Sequence, residues 1–455
     1  MIDKNIKIHM PEEVEIIIRI LNENDFEAFI VGGCVRDSLL DKKPKDWDIT
    51  TNASPEDIIS VFKEQNYRVI ETGLKHGTVT VVINRENFEI TTYRIDGEYL
   101  DNRRPLNVIF TSSLEEDLRR RDFTINAMAY NHSKGLIDYH HGLTHLENKI
   151  IKAVGEAEKR FNEDALRMLR AIRFACQLNF NLDEEIKVTL YKTSGLLKNI
   201  SEERIKDELC KILISDFPAV GIKLLMKFNL MKYIIPELYE CENFNQLNKH
   251  HDKDVLQHTL GVLDNTPPKM DIRLAALLHD IAKPRCFTVD ETGQGHFLKH
   301  NIKGANMAKD ILKRLKFDNR TIEKVYILIF EHMSRFKKTK DSTVKRFIGR
   351  VGKENLEDLF MLQIADSKAC AKEYANISEV LNTKARCEII LEENQPLTIK
   401  DLKIGGKELM ELGVLQGKII GVILDELLDL VLENSELNHK EKLIEIVKSS
   451  PSLLK

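Results

Sequence analysis

Residues 28–49 read Ala28-Phe29-Ile30-Val31-Gly32-Gly33-Cys34-Val35-Arg36-Asp37-Ser38-Leu39-Leu40-Asp41-Lys42-Lys43-Pro44-Lys45-Asp46-Trp47-Asp48-Ile49. Four apolar residues, Ala28–Val31, predict a short buried strand that stops at two glycines. A Gly-Gly pair after a strand lets backbone N–H groups approach a phosphate closely, and Arg36 can add charge-assisted bonds to a triphosphate. Taken alone, the pair also fits a plain turn. About ten residues on, Asp46 and Asp48 are spaced i, i+2. On a strand that spacing puts both carboxylates on one face, where they repel unless a cation sits between them. Hard oxygen ligands suit Mg²⁺, and two such ions about 4 Å apart activate an attacking hydroxyl and stabilise a leaving pyrophosphate. An isolated Asp-x-Asp also fits an exposed turn.

Outward from this stretch, residues 11–22 carry helical apolar spacing (Val14, Ile17, Ile18, Leu21). Ile49 opens a second strand. Ser54-Pro55-Glu56 is a helix start, with a cap followed by Pro at the first helical position. Val79–Ile83 and Phe88–Tyr93 read as paired strands around a turn at residues 84–87. Further on comes Arg119-Arg120-Arg121-Asp122-Phe123-Thr124-Ile125-Asn126-Ala127. Its basic run adjoins small and apolar residues that must pack, so at least one Arg is held near the core, which suggests contacts to ribose and phosphate.

From about residue 155 the period turns helical. Glu163–Phe174 predicts one continuous helix, with Asp164, Arg167 and Arg170 in a row and Leu166, Leu169 and Ile172 on the packing side. Asp164 and Arg167 fit a surface salt bridge worth a few tenths of a kcal/mol. They also fit a protein template. A carboxylate accepts from an exocyclic amine and a guanidinium donates to a ring acceptor. C and A share that order of groups, whereas U and G reverse it, and a wrong base leaves buried polar groups unpaired.

In combination, Gly-Gly-x-Val-Arg-Asp, Asp-x-Asp, Arg-Arg-Asp-Phe-Thr-x-Asn-Ala and Glu-Asp-x-x-Arg resemble the class II nucleotidyltransferases, the bacterial CCA-adding enzymes and poly(A) polymerases. The resemblance is strong over about residues 10–235 and weak toward the C-terminus. It implies that Asp46 and Asp48 are catalytic and hold Mg²⁺; Glu89, on the strand Phe88–Tyr93, fits a third catalytic carboxylate and also fits an exposed strand residue. It implies nucleotide contacts from Gly32, Gly33, Arg36, Arg121, Asp122, Asn126, Asp164, Arg167, Arg170 and Arg173. Thr72–Val81, Arg103-Arg104-Pro105 and Val154–Phe161 are similar to the Gram-positive CCA-adding type, Ser201–Ile205 resembles a further helical motif, and Asp138–Gly142 matches a hinge between head and neck. The basic, aromatic run of the poly(A) polymerases is replaced here by Gly73–Val81. Asp96–Pro105 looks like the flexible loop that CC-adding enzymes lack. The implied activity is CCA addition to tRNA from CTP and ATP, with A-only addition and poly(A) addition as the alternatives.

Later in the chain, His279-Asp280 ends an apolar helix, with His258 before it and His300, His332 and Asp366 after it. Imidazole with carboxylate suits transition metals. The order, with Lys283 following, is similar to the HD phosphohydrolases, and the resemblance implies that His258, His279, Asp280, His300, His332 and Asp366 hold a divalent transition metal and hydrolyse phosphoesters. A purely structural helical body and an HD hydrolase with a merely nucleotide-binding head are the competing readings.

The expected architecture is an α/β nucleotidyltransferase head (1–150) and a mostly α-helical remainder. That remainder divides into a neck with the template helix (151–240), an HD domain (241–375) and a tRNA-binding tail (376–455). Composition sets the frame: 455 residues exceed one ordinary domain, and 42% hydrophobic with 31% charged residues is globular. The net charge of -4 requires any RNA-binding surface to come from local clusters of Lys and Arg. Seven dispersed cysteines without a CxxC pair, no apolar leader and no membrane-length run predict a cytoplasmic protein with no membrane contact and no obligate protein partner.

Overall fold

The computed structural model describes residues 2–97, 107–247, 253–337, 339–371, 373 and 375–449. It divides into two units, Met1–Pro236 and Glu237–Lys455. The expected loop at Asp96–Pro105 falls largely outside the described residues.

The first unit opens with strands β1 (Ile2–Asp3), β2 (Ala28–Val31), β3 (Ile49–Thr51), β4 (Arg68–Gly73), β5 (Thr78–Ile83) and β6 (Glu86–Thr92). A hairpin β7 (Arg94–Asp96) with β8 (Val108–Phe110) follows, then β9 (Met128–Asn131) and β10 (Gly135–Asp138). Eight of them form one sheet in the order β1-β10-β9-β2-β3-β6-β5-β4. β3 and β6 run parallel, Ile49 opposite Ile90, and every other pairing in the sheet is antiparallel. All four residues of β2 are buried, as a central strand covered on both faces requires. β5 alternates half-buried threonines with buried Val79, Val81 and Ile83, the period of a pleated strand. β5 turns into β6 through Asn84 and Arg85, both at positive φ, which is the conformation of a two-residue hairpin loop.

Helices α1 (Glu12–Glu23), α2 (Gly33–Leu39), α3 (Pro55–Glu64), α4 (Leu114–Arg119) and α5 (Gly142–Glu147) accompany the sheet. Phe29, Val31, Tyr93, Leu118, Ala129 and Ile137 share one buried cluster. α3 begins with a reciprocal cap: Ser54 Oγ accepts from the Asp57 amide at 3.1 Å and the Asp57 carboxylate accepts from the Ser54 amide at 3.1 Å. Ser54→Ala is expected to cost about 1 kcal/mol. Hydrogen exchange of the α3 amides should then speed up roughly fivefold, and unchanged exchange would show the cap to be idle.

The rest of the first unit is helical: α6 (Ala157–Glu163), α7 (Leu166–Leu178), α8 (Glu184–Thr193), α9 (Glu202–Leu213) and α10 (Pro218–Lys227). The continuous helix expected over Glu163–Phe174 is broken. Asp164 has φ -138° and ψ 104°, an extended conformation, and α7 restarts two residues later. The Asp164 carboxylate accepts from the Leu166 amide at 3.1 Å, a local helix-starting bond, and Arg204 of α9 holds the same carboxylate with two bonds, 3.2 and 2.8 Å.

The second unit contains α11 (Val255–Asp264), α12 (Met270–Leu278), α13 (His300–Arg314), α14 (Asn319–Glu331), α15 (Asp341–Val351) and α16 (Leu356–Ala369). Then come α17 (Ser378–Glu392), α18 (Gly406–Glu411), α19 (Lys418–Glu433) and α20 (Lys440–Ser449). Leu409, Ile423, Leu427, Val431, Leu443 and Val447 give its C-terminal helices a core of their own. Among the described residues no helix is long and apolar enough to cross a membrane.

Candidate active site

One cavity of about 570 Å³ in the first unit is lined by Gly32, Gly33, Arg36, Asp46, Asp48, Arg120, Arg121, Asp122, Asn126, Asp164, Leu166, Arg167, Arg170, Arg173, Phe174 and Arg204. All ten residues expected to contact nucleotide are on its wall, together with both members of the aspartate pair. The wall carries seven arginines against four aspartates, an excess of positive charge suited to a polyphosphate.

Local structure explains each placement. Gly32 has φ +80°, and a side chain there would meet Arg121 Nη1 at 3.0 Å, so only glycine allows the turn from β2 into α2 with Arg121 alongside. Arg36, on the first turn of α2, donates to Asn126 Oδ1 at 2.7 Å and to Asp37 at 2.8 Å. Arg120 and Arg121 are both anchored on fully buried Asp117, at 2.8 and 3.4 Å, whereas Arg119 points to solvent. The basic run is therefore split between core and surface. Asp122 is buried and accepts from Arg170 Nε at 2.7 Å, the Phe123 amide at 2.8 Å and Asn126 Nδ2 at 3.2 Å. Arg173 donates to Glu208 of α9 at 2.6 Å.

Asp46 and Asp48 do not lie on a strand. They stand in the loop leading into β3, although the Asp48 carbonyl accepts from the Val31 amide at 3.0 Å and so fixes the loop to β2. Both side chains are exposed to the cavity. The protein around Asp48 still removes enough solvent to raise its carboxyl above the ordinary range, with repulsion from Asp46 adding to this and Arg121 opposing it. Two like charges with that bias fit a divalent cation. Glu89 does not line the cavity. It is exposed on β6 opposite Thr80, although the β3–β6 register puts it beside Asp48.

The side chains of Asp164 and Arg167 do not bond each other, although the Arg167 amide donates to the Asp164 carbonyl at 2.9 Å. Asp164 is held by Arg204. Arg167 donates to Glu163 Oε2 at 2.7 Å and to the Arg120 carbonyl at 3.0 Å. Arg204, Glu163, Asp117 and Glu208 were not singled out by sequence. Arg204 and Glu163 lie inside quoted motifs, but nothing local marks Asp117 or Glu208, whose partners are set by tertiary folding.

Burial works to raise the Asp122 carboxyl, but Arg170 and Asn126 outweigh it and hold the group at about 2. A depressed carboxylate contributes stability that is present above its unfolded value near 3.9 and lost as pH falls through 2. The contribution is roughly 2 kcal/mol. The stability gap between the wild type and Asp122→Asn should therefore shrink from pH 5 to pH 2, measured by denaturant unfolding at each pH. A constant gap would show that the charge is not what holds Arg170.

A second cluster lies in the second unit. His258, His279, Asp280, His300, His332 and Asp366 are all buried and converge. Asp280 is central. Its Oδ2 stands 3.1 Å from His279 Nε2 and 3.7 Å from His258 Nε2, and its Oδ1 stands 3.5 Å from His300 Nε2 and 3.9 Å from His332 Nε2. Asp366 Oδ1 accepts from His258 Nε2 at 3.1 Å, while Arg335 donates to its Oδ2 at 2.9 Å. His279, His300 and His332 each donate Nδ1–H to the carbonyl three residues earlier, at 2.9, 2.7 and 2.6 Å. That bond fixes the tautomer and leaves each Nε2 lone pair facing the centre, the orientation metal-binding histidines take. Burial, reinforced by His279 and His300, pushes His332 down to about 3, so it stays neutral and able to ligate. The donor set fits a divalent metal.

Residues 28–152 match the Poly A polymerase head domain, residues 179–241 the probable RNA and SrmB-binding site of polymerase A, and residues 255–370 the HD domain. The CCA-adding enzyme of Lactobacillus helveticus is 49% identical over 214 residues, 47% of this chain and 53% of that one, so the alignment spans about half the relative's length. The CCA-adding enzyme of Levilactobacillus brevis is 32% identical over 446 residues, 96% of this chain and 98% of the relative. Among solved structures, the Bacillus stearothermophilus CCA-adding enzyme in complex with CTP superposes with a TM-score of 0.73 at 27% identity, covering 97% of this chain and 100% of that one. The chain belongs to the family of the bacterial CCA-adding enzymes.

Proposed function

We propose that this protein adds CCA to the 3′ end of tRNA from CTP and ATP without a nucleic-acid template. The observation that carries the reading is the single cavity that gathers the aspartate pair, the arginine-rich wall and the Asp164/Arg167 pair. The tRNA 3′-hydroxyl oxygen bonds to the α-phosphorus, the bond to the bridging oxygen breaks, and pyrophosphate leaves with its electron pair while the hydroxyl proton passes to solvent. Asp46 and Asp48 would hold magnesium, whose chemistry there is to neutralise charge on the attacking and leaving oxygens. Arg36, Arg121, Arg170 and Arg173 hold the phosphates and ribose, and Gly32 and Gly33 let the backbone approach them. Asp122 and Asn126 orient Arg170 and Arg36. Base reading exchanges internal bonds for ligand bonds: Asp164 turns from Arg204 to an exocyclic amine, and Arg167 turns from Glu163 to a ring acceptor. Apart from that pair, the wall is already hydrogen-bonded, so little ordering is left there for the reaction step. Glu89 completes the carboxylate set only if β6 brings it to the cavity.

The division into head (1–150), neck (151–240), HD domain (241–375) and tail (376–455) assigns nucleotide chemistry to the first two and tRNA contact to the last. For the second unit the reading is a phosphoesterase centre. His258, His279, Asp280, His300, His332 and Asp366 would hold a transition metal that supplies an activated water. The cytoplasm suits an enzyme of tRNA with seven free thiols.

The test uses three labelled tRNAs, ending before CCA, after C and after CC, each given CTP and ATP separately and together. Completion of all three to CCA, followed by arrest, is the expected result. One A added to the CC-ended tRNA alone identifies an A-adding enzyme, and long tails from ATP alone identify a poly(A) polymerase.

A further inference from the structure

Cys370 follows α16 directly, one helical turn beyond Asp366, and is half-buried. One ligand atom each from His258, Asp366 and Cys370 lies within 4.8 Å of the others. Zinc–sulfur and zinc–nitrogen bonds are about 2.3 and 2.0 Å, so two ligands of one ion stand at most about 4.3 Å apart. The three donor atoms therefore stand inside that limit or within about 0.5 Å of it. We infer that Cys370 is a ligand of the second-unit metal centre, on the ion shared by His258 and Asp366, and that it makes this centre prefer borderline and soft divalent metals over magnesium or manganese.

Two further observations support the assignment. Asp280 Oδ1 stands 3.5 Å from His300 Nε2 and 3.9 Å from His332 Nε2, the spacing of groups aimed at a shared point, while its Oδ2 is taken by Lys283 Nζ at 2.7 Å. Arg335 occupies Asp366 Oδ2 and so turns Oδ1 toward His258 Nε2 at 3.1 Å and His279 Nε2 at 3.9 Å, where an entering cation replaces the His258–Asp366 bond. The Cys370 S–H makes a long contact of 3.5 Å to the Asp366 carbonyl, a weak bond that a metal–sulfur bond can replace. On binding, the S–H proton passes to solvent as the metal–sulfur bond forms. Thiolate ligands select zinc and other borderline or soft ions, whereas carboxylates and water suit magnesium and manganese.

The inference rests on the metal-centre reading of the second unit, and the experiment separates the two. The full chain is stripped with chelator, reloaded with zinc or cobalt(II), and examined by metal analysis, X-ray absorption and the near-ultraviolet spectrum of the cobalt form. The expected result is a sulfur scatterer at about 2.3 Å in the zinc form and a thiolate-to-cobalt band, both lost in Cys370→Ser. Zinc affinity should fall by at least the ~10–100-fold that ligand-orienting partners typically supply, with manganese affinity unchanged. Bound metal with only nitrogen and oxygen scatterers in the wild type overturns the assignment of Cys370 and leaves the metal centre intact. A sulfur signal that survives Cys370→Ser overturns it too. No tight metal in the reloaded wild type removes the centre itself. The wild-type spectra decide the matter even if the variant does not fold.

Discussion

Asp48→Asn, and likewise Asp46→Asn, is expected to lower the single-turnover rate of nucleotide addition by about 10³-fold or more while leaving CTP affinity within a few fold. The substitution keeps size and shape and removes one anionic ligand. Divalent-metal stabilisation of the charge on a transferring phosphoryl group is worth several kcal/mol, and each 1.4 kcal/mol is a factor of ten in rate. Affinity is spared because the seven arginines of the cavity wall remain to hold the triphosphate. A second readout has an opposite sign. The Asp48 carboxyl is raised by its crowded surroundings and by Asp46, so its ionised form costs the folded state stability above its pKa. Asp48→Asn should therefore unfold no more easily than the wild type at pH 7. A variant that retained a tenth of the wild-type rate would remove Asp48 from the reaction. A variant that lost both rate and stability would make it a structural residue.

Asp164→Ala is expected to reduce kcat/KM for CTP and ATP by about 10²–10³-fold and to narrow the gap to UTP and GTP. A site that hydrogen-bonds its substrate's polar edge can reject a mismatched one by 10⁴–10⁵-fold, because the wrong base leaves buried groups unpaired. Removing the acceptor removes part of that penalty for every base. The measurement is kcat/KM for the four triphosphates on a tRNA ending in CC and on one lacking CCA. If all four fall by the same factor, Asp164 only anchors Arg204 at the joint between α6 and α7. If the ratios collapse toward one, it reads the base.

The legibility of the head followed from chemistry carried by short local segments. Gly32-Gly33, Arg36, the aspartate pair, Arg121 to Asn126 and Arg167 to Arg173 come from separate elements, and each was marked by spacing before the cavity brought them together. The second-unit cluster was legible for the same reason, since a buried His-Asp at the end of an apolar helix has few uses. The break at Asp164 was not. Ala165, Leu166 and Arg167 continue a helical pattern without interruption, while the Asp164 carboxylate starts a new helix at the Leu166 amide and is held there by Arg204, forty residues later. Asp46 and Asp48 sit before β3 rather than on it because the strand is only three residues long. The pairings of Asp117 and Glu208 depend on folded distances that no local spacing records. Glu89 was placed on the correct strand and beside Asp48 in register, yet strand assignment alone does not bring a side chain into a cavity.

Phe174 carries three guanidinium groups near its ring, Arg173 at 4.0 Å, Arg36 at 5.0 Å and Arg170 at 5.5 Å. The aromatic face and the carboxylates of Asp37, Asp122 and Glu208 offset their mutual repulsion. A bound polyanion adds to that stabilisation. With nucleoside triphosphates as the proposed substrates, folding of the first unit is linked to their supply, by about 2.7 kcal/mol when their concentration is a hundred times the dissociation constant. Cells depleted of triphosphates would hold this protein in its least durable state, most open to proteolysis, just when its own reaction has no substrate.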